Sequence, residues 1–260
     1  MRNFLGSLRI DLQRAFLSGY FWLAILLVLL LNYFSVFMEI RLNGSINAIY
    51  LLTIFCFGGD NTIVLLFLGS LPYAKSFVTD WNTQFLRFHL IRTSPDGYTW
   101  SKVITVFLSS AISIGVGFAL TILCFSLHMP MGNDNVGEVT RGLPAYGQLL
   151  NNSYLLFFAA QISVLALGVS VWAVAALFLS AYVTNAFVVL ASPVIAYYVI
   201  INSIGRYLPT LLNMDRFMLG KVTLGSAGST FIYTLLYCLL LTVLLGFGFS
   251  RKVKKRIDHG

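Results

Sequence analysis

Hydrophobic and polar positions separate into long blocks along this chain. Apolar runs at residues 20–37, 103–127 and 231–249 each have about the length of one helix that crosses a bilayer, roughly 20 residues. The run at 154–204 is roughly fifty residues long, which predicts two such helices, joined tightly near residues 181–185. Together these runs predict spans one, three, four, five and six.

The second span is the least regular, because the apolar run at 48–73 is interrupted by the sequence GGDN at residues 58–61. Such residues favour turns, so we expect a short outer piece followed by a span from about Asn61 to Ala74.

Hydrophobic residues make up 58% of the chain and charged residues 10%, far from the makeup of a soluble domain. We therefore predict an all-α polytopic membrane protein with six transmembrane helices in a single domain, residues 1–260.

Residues 1–18 are too polar to span a membrane, yet their pattern has the period of an amphipathic helix. The apolar residues that share one arc of this helix are Met1, Phe4, Leu5, Leu8, Leu12, Ala15 and Phe16. The polar residues outside that arc are Arg2, Arg9, Gln13 and Arg14. We expect an interfacial helix that lies flat on an anionic membrane surface.

A polar island from Leu71 to Lys102 lies between two apolar runs, and its residues 76–91 fit a helix with two apolar faces. The aromatic stripe consists of Phe77, Trp81, Phe85 and Phe88, and Leu86 and Leu90 mark the second face. A helix that is apolar on two sides usually has two partners, such as its own membrane helices and a groove on a soluble subunit. The alternative is one interfacial helix with incidental aromatic residues.

After this helix, residues 92–97 are expected to form a turn that contains Pro95 and Gly97. Ser101 and Lys102 would then lead into span three. Gly115 and Gly117 in that span would permit the close approach of another helix.

Lys and Arg residues concentrate on one side when the N-terminus is placed inside the cell. The twelve inner residues are Arg2, Arg9, Arg14, Lys75, Arg87, Arg92, Lys102, Arg251, Lys252, Lys254, Lys255 and Arg256. The five outer residues are Arg41, Arg141, Arg206, Arg216 and Lys221. Because cytoplasmic loops favour Lys and Arg, we expect both termini, the segment 74–102 and the basic tail 251–260 in the cytoplasm of a multi-pass cell-membrane protein. Membrane topology then accounts for the net charge of +8, and no nucleic-acid partner is expected.

Residue patterns for catalysis or metal binding are not found in the sequence. The three histidines are scattered, and the three cysteines lie in apolar runs without ligand spacing. No GxxxxGK[ST] phosphate loop occurs, since Gly220-Lys221 lacks the upstream glycine. We expect no catalytic, metal-binding or cofactor-binding residues, and a membrane enzyme is the weaker class.

Within the island, an ordered string of residues resembles a known family. The string is Leu71-Pro72-Tyr73-Ala74, Ser76-Phe77, Asp80, Arg87, Arg92-Thr93, Tyr98 and Ser101-Lys102. It is similar to type-2 ATP-binding-cassette exporter permeases, especially small six-span members from Gram-positive bacteria. The six-span layout and the amphipathic N-terminal helix extend the resemblance over most of the chain. Asp60 departs from it, because a small or apolar residue is expected there.

The resemblance implies a cytoplasmic coupling helix between spans two and three, which docks onto a separate ATPase subunit that binds ATP and Mg. The residues expected to couple to the ATPase are Phe77, Asp80, Trp81, Phe85, Arg87 and Arg92. The residues expected to define the coupling segment are Pro72, Tyr73, Ser76, Tyr98, Ser101 and Lys102. The resemblance also implies a homodimer, or a heterodimer with a related permease, and an outer hairpin within Gly205–Thr230.

The expected cargo is hydrophobic or amphipathic, such as a peptide, lipid or drug, because the spans are rich in apolar residues. Antimicrobial-peptide export or immunity is the leading expectation from the resemblance. A secondary transporter and a non-transporting assembly or regulatory protein remain alternatives. Asp60 and Glu39 are expected near the outer ends of spans, where water can solvate them, with contact to substrate as the other interpretation.

Overall fold

The computed structural model describes residues 2–43, 61–86, 94–128, 136–203, 205 and 207–259. Every regular element in these residues is a helix, so the predicted all-α class holds for the described part of the chain. The α-helices are α1 (Arg2–Phe16), α2 (Gly19–Asn43), α3 (Thr62–Ser70), α4 (Ser76–Asn82), α5 (Pro95–His128), α6 (Val136–Gly142), α7 (Tyr154–Ser180), α8 (Ala186–Ser203), α9 (Met214–Met218) and α10 (Ala227–His259). Short 3-10 helices lie at Gly147–Asn151 and Thr210–Leu212.

Four helices are long and apolar enough to cross a membrane, which agrees with the class of helical membrane proteins. Their apolar stretches are Gly19–Phe37, Pro95–Leu127, Tyr154–Ser180 and Ala227–Asp258. They contain the predicted spans one, three, four and six. The predicted break near residues 181–185 is confirmed, since α7 ends at Ser180 and α8 begins at Ala186. Helix α8 is apolar but shorter than the other four.

The predicted second span, Asn61 to Ala74, is not helical over its full length. Helix α3 ends at Ser70, and its nine residues measure roughly 14 Å along the axis. Turns occupy residues 71–75, where Pro72 cannot donate a helical hydrogen bond. Asp60 and the residues that precede it, back to residue 44, lie outside the described residues, so six spans stay a prediction.

Two predictions within the island are wrong. The helix expected over residues 76–91 is interrupted, because α4 ends at Asn82 and Gln84 has a φ of 57° in the left-handed region. The turn expected at Pro95 and Gly97 is instead the first turn of α5. Proline is favoured at that position, since its missing N–H would have no helical partner there. Phe88 and Leu90 lie outside the described residues.

Helix α1 forms as predicted, but the face that it turns toward the protein is polar. Ser7 and Asp11, spaced by four residues, are buried against the rest of the chain, together with Ala15 from the edge of the apolar arc. The apolar arc is only partly covered, and Leu5 is 65% exposed. The inward polar face has a partner on α5, as described below.

Helix α5 lies at the centre of the fold and packs against α1, α2, α7 and α10. Its contact with α2 is close at Gly117, where an added Cβ would lie 2.6 Å from Cγ1 of Val28. The predicted close approach is thus confirmed at Gly117, whereas Gly115 has only ordinary space around it. The basic tail continues the last helix, because α10 runs to His259.

Candidate functional site

Lys102 is the centre of a buried ionic network at one end of α5. Its side chain is fully buried, and its ammonium lies 2.9 Å from Oδ1 of Asp11 and 2.8 Å from Oδ2 of Asp80. It also donates a hydrogen bond of 3.0 Å to the Tyr73 hydroxyl. A buried ammonium needs such partners, because an isolated charge in a low-dielectric interior is costly.

Asp11 brings helix α1 into the network. Its Oδ2 accepts a hydrogen bond of 2.6 Å from Ser101, and its Oδ1 accepts one of 2.7 Å from the Tyr73 hydroxyl. Burial alone would raise the pKa of Asp11, but the Lys102 ammonium and these hydrogen bonds outweigh burial and lower it. Burial raises the pKa of Tyr73, so its hydroxyl remains a proton donor.

Asp80 brings the short helix α4 into the same network. Its Oδ2 accepts a hydrogen bond of 3.0 Å from Tyr98, and its Oδ1 accepts one of 3.1 Å from the Arg14 guanidinium. The Arg14 side chain is 39% exposed, while that of Asp80 is 1% exposed. Two cations therefore balance two carboxylates, and hydroxyl groups satisfy the remaining carboxylate oxygens.

The network connects three segments that are far apart in the sequence: α1, the stretch from Tyr73 through α4, and the first turns of α5. Removing one partner of a buried ion pair typically costs about 3–5 kcal/mol, because the other charge is left uncompensated. The three segments are therefore expected to move as one unit. The arrangement is suited to mechanical coupling more than to proton transfer, since both carboxylates are already bound to cations and hydroxyl groups.

No group of three or more His, Cys, Asp or Glu side chains in the part of the chain that the structure describes could hold a metal ion.

Four of the six residues predicted to couple to an ATPase are described, and they differ in burial. Phe77 and Asp80 are buried, and the Phe77 ring packs edge-on against Phe249 at 5.4 Å between ring centroids. Trp81 is half-buried, with the Arg256 guanidinium 4.0 Å above its ring. Phe85 is 38% exposed. The predicted residues Arg87 and Arg92 lie outside the described residues.

The residues predicted to define the coupling segment all lie in the interior. These are Pro72, Tyr73, Ser76, Tyr98, Ser101 and Lys102. Tyr73, Tyr98, Ser101 and Lys102 belong to the network, so the structure brings the two ends of the island together. Tyr98 and Lys102 contact Asp80 on α4, whereas Tyr73 and Ser101 contact Asp11 on α1.

Sequence reasoning missed Asp11, and it treated Arg14 only as part of a polar helix face. A signal was present, because Asp11 is the single acidic residue before Glu39. Ser7, Asp11 and Arg14 are also spaced by four and three residues, which places them on one side of a helix. An acid on such a face indicates that a cation is needed nearby, but it does not identify Lys102 as the partner.

Known proteins do not add an identification. Comparison of the chain with protein-family models, with curated proteins and with solved structures finds no match.

Proposed function

We propose that this chain is the transmembrane permease subunit of an ATP-binding-cassette exporter, with ATP bound and hydrolysed by a separate subunit. The observation that carries the proposal is the attachment of α4 to α1 and α5 through Asp80, Lys102 and Asp11. A helix that transmits movement from a soluble motor must be joined stiffly to the membrane helices. Buried ion pairs supply that stiffness, because separating them exposes uncompensated charge.

The contacts of α4 divide the coupling residues by role. Phe77 and Asp80 face inward and attach the helix to the protein, so they would act on a partner only indirectly. The outward face presents Thr79 and Asn82, and exposed residues 83–85 follow. We infer that the ATPase contacts this outward face, together with Phe85 and the edge of Trp81.

The topology in this proposal has six spans, both termini in the cytoplasm, and a dimer of two such chains or of related permeases. The excess of Lys and Arg in the segments 1–18, 74–102 and 251–260 supports this orientation. Helix α3 would be the inner part of span two, and α8 would be span five.

A hydrophobic or amphipathic cargo, such as a peptide, lipid or drug, agrees with an open groove between α7 and α10. The groove has a volume of about 400 Å³. Its walls include Leu149, Leu156, Ala160 and Phe231, with Ser163 among few polar side chains. A groove with walls of this kind binds apolar molecules because it removes their surface from water. Export or immunity toward antimicrobial peptides is the specific form that we favour.

An ion-coupled secondary transporter is the second candidate, because ionisable side chains buried in membrane helices often bind or relay protons. Asp11 and Lys102 fit this description in part. The network lies near one end of α5, however, and each of its carboxylates already has three contacts with cations or hydroxyl groups. We therefore rank this candidate below the ATP-driven permease, and a transport assay with and without ATP would separate the two.

The proposal is tested by purifying the tagged full chain from its native host and measuring ATP hydrolysis by the subunits that accompany it. We expect a nucleotide-binding subunit in a fixed ratio to the wild-type chain. The double variant Thr79→Glu/Thr83→Glu changes two exposed side chains whose hydroxyl groups bond only to nearby backbone of α4, and it should reduce the bound ATPase by about tenfold or more. The matched control is Thr210→Glu, an exposed threonine in the segment that follows α8.

The possible outcomes separate the two parts of the proposal. Absence of any ATP-hydrolysing subunit on the wild-type chain would contradict the assigned function. An ATPase that binds the wild type and the double variant equally would leave the function standing and would show that α4 is not its docking site.

A further inference from the structure

Helix α10 presents a continuous apolar stripe away from the protein. Leu236, Leu240, Leu244 and Phe247 are each more than half exposed, and their spacings of three and four residues place them on one side of the helix. On a membrane-spanning helix such a stripe lies against lipid acyl chains or against another protein.

Two exposed cations extend the same stripe. Arg251 and Lys255 follow Phe247 at successive spacings of four residues, and both are exposed. Among the described residues, none of the ion pairs includes either side chain. The exposed face of α10 therefore changes from apolar to cationic within one turn.

The other basic side chains at this end of α10 have partners within the protein. Lys254 pairs with Asp96 at 2.6 Å. Lys252 lies 4.4 Å above the Tyr182 ring, and Arg256 covers the Trp81 ring. The packing of α10 against the rest of the protein therefore determines which basic side chains of the tail face outward.

The length of α10 sets the depth of these cations. Its 33 residues measure roughly 50 Å, whereas the hydrocarbon layer is about 30 Å thick. Arg251 lies roughly 6 Å beyond Phe247 along the axis, within a headgroup layer about 5–8 Å thick on each side, and Lys255 lies roughly 12 Å beyond Phe247, just outside that layer. Side chains on a helix also lean toward its N-terminus, so both cations lean back toward the membrane.

We propose that Arg251 and Lys255 form a binding site for the phosphate-bearing headgroup of an anionic phospholipid, whose acyl chains lie along the apolar stripe of α10. Charge complementarity and the continuity of the stripe carry this assignment. Asp258, also exposed, is one turn further from the membrane. An acidic protein surface that approached from the aqueous side would meet this carboxylate first, which favours lipid as the occupant. The proposal needs a membrane-embedded chain but does not depend on an ATPase partner.

The test is native mass spectrometry of the full chain in nonionic detergent, titrated with phosphatidylglycerol or phosphatidylcholine. We expect the wild type to bind phosphatidylglycerol more tightly. The variant Arg251→Gln/Lys255→Gln should bind it on the order of 30-fold more weakly, since each surface cation contributes about one factor of five. The control Arg216→Gln/Lys221→Gln removes two exposed cations from the segment at 213–224 and should bind like the wild type.

Several results would overturn the proposal. Equal binding of phosphatidylglycerol by the wild type and the Arg251/Lys255 variant would do so. An equal loss of binding in the control variant would also do so, because it would indicate only a net-charge effect.

Competition by inorganic phosphate at the same site would indicate a free anion in place of a lipid. A change in the number of chains per particle, with lipid binding unaltered, would show that a second copy covers the stripe. Loss of an acidic protein partner with lipid binding unaltered would assign the site to that protein. Thermal unfolding of each variant checks that it is folded.

Discussion

Two sets of ion pairs in this protein have similar distances and opposite surroundings. In the network, the Lys102 ammonium lies 2.9 Å from Asp11 and 2.8 Å from Asp80, with all three side chains at most 1% exposed. The Lys254–Asp96 pair is shorter, at 2.6 Å, but its side chains are 43% and 57% exposed. Distance therefore does not rank these contacts, because water screens the surface pair and leaves the buried set unscreened.

Because of this difference, the buried charges are expected to contribute much more to the stability of the fold than the surface pair. In the buried network, each charge depends on the others, so the loss of one leaves its partners without compensation. On the surface, either member of the Lys254–Asp96 pair can exchange its partner for water. Three measurements test whether the buried charges stabilise the fold more than the surface pair does.

The largest effect is expected for Lys102→Met, which keeps the apolar stem but removes the ammonium. Arg14 would still pair with Asp80, but Asp11 would be left as a buried anion without a cation. We expect the free energy of unfolding, measured by denaturant titration in detergent micelles, to fall by about 3–5 kcal/mol.

The control for this change is Arg216→Gln, which removes an exposed cation outside the network and should alter the free energy of unfolding by less than about 0.5 kcal/mol. The triple variant Asp11→Asn/Asp80→Asn/Lys102→Met should recover at least half of the lost stability, since it leaves no buried charge uncompensated, and Arg14, which loses Asp80, is 39% exposed. Equal stability of Lys102→Met and the wild type would show that the network does not stabilise the fold.

A smaller, pH-dependent effect is expected for Asp11→Asn. At neutral pH the variant should be less stable by about 2 kcal/mol, because hydrogen bonds to a charged group are lost. The pKa of Asp11 is lowered in the folded protein, so its contribution is complete above the ordinary value of 3.8 and disappears as the pH falls through the folded value.

The stability difference between the wild type and Asp11→Asn should therefore shrink below about pH 4 and stay constant between roughly pH 5 and 8. Thermal unfolding of both proteins across this range provides the measurement. A difference that grew in acid would mean that the pKa of Asp11 is raised by folding, contrary to the electrostatics of the network.

The smallest effect is expected for Lys254→Gln, which breaks the surface pair. The change in the free energy of unfolding should be below about 0.5 kcal/mol and should vanish at high salt, because both partners are accessible to water. A loss comparable to that of Lys102→Met would mean that Asp96 is essential to the start of α5, and the contrast between the two sets of charges would be lost.

Apolar run length alone predicts much of the fold, including the break between α7 and α8 and the end of α5 near residue 127. The errors lie where local signals compete. Pro95 was assigned to a turn, although proline is equally suited to the first turn of a helix. The helix predicted over residues 76–91 has the correct periodicity, but nothing in that pattern marks the left-handed conformation of Gln84.

The residues of the candidate site were predicted in part. Tyr73, Tyr98, Ser101 and Lys102 were selected through their resemblance to a family, and Asp80 was expected to contact a partner. Their actual contacts depend on Asp11, which lies 91 positions from Lys102 in the chain. No local pattern reports such a pairing, because the two residues meet only when α1 packs against α5.

By itself, the sequence determined the helical membrane class, the amphipathic character of α1 and the excess of positive charge in particular segments. These properties follow from composition and periodicity, which act over a few helical turns. The tertiary structure alone decided that α1 buries Asp11 while its apolar arc stays partly exposed, and that Lys102 is enclosed while Arg251 and Lys255 face outward. The physical reason is that the energy of a charge depends on the partners and solvent around it, and folding supplies both.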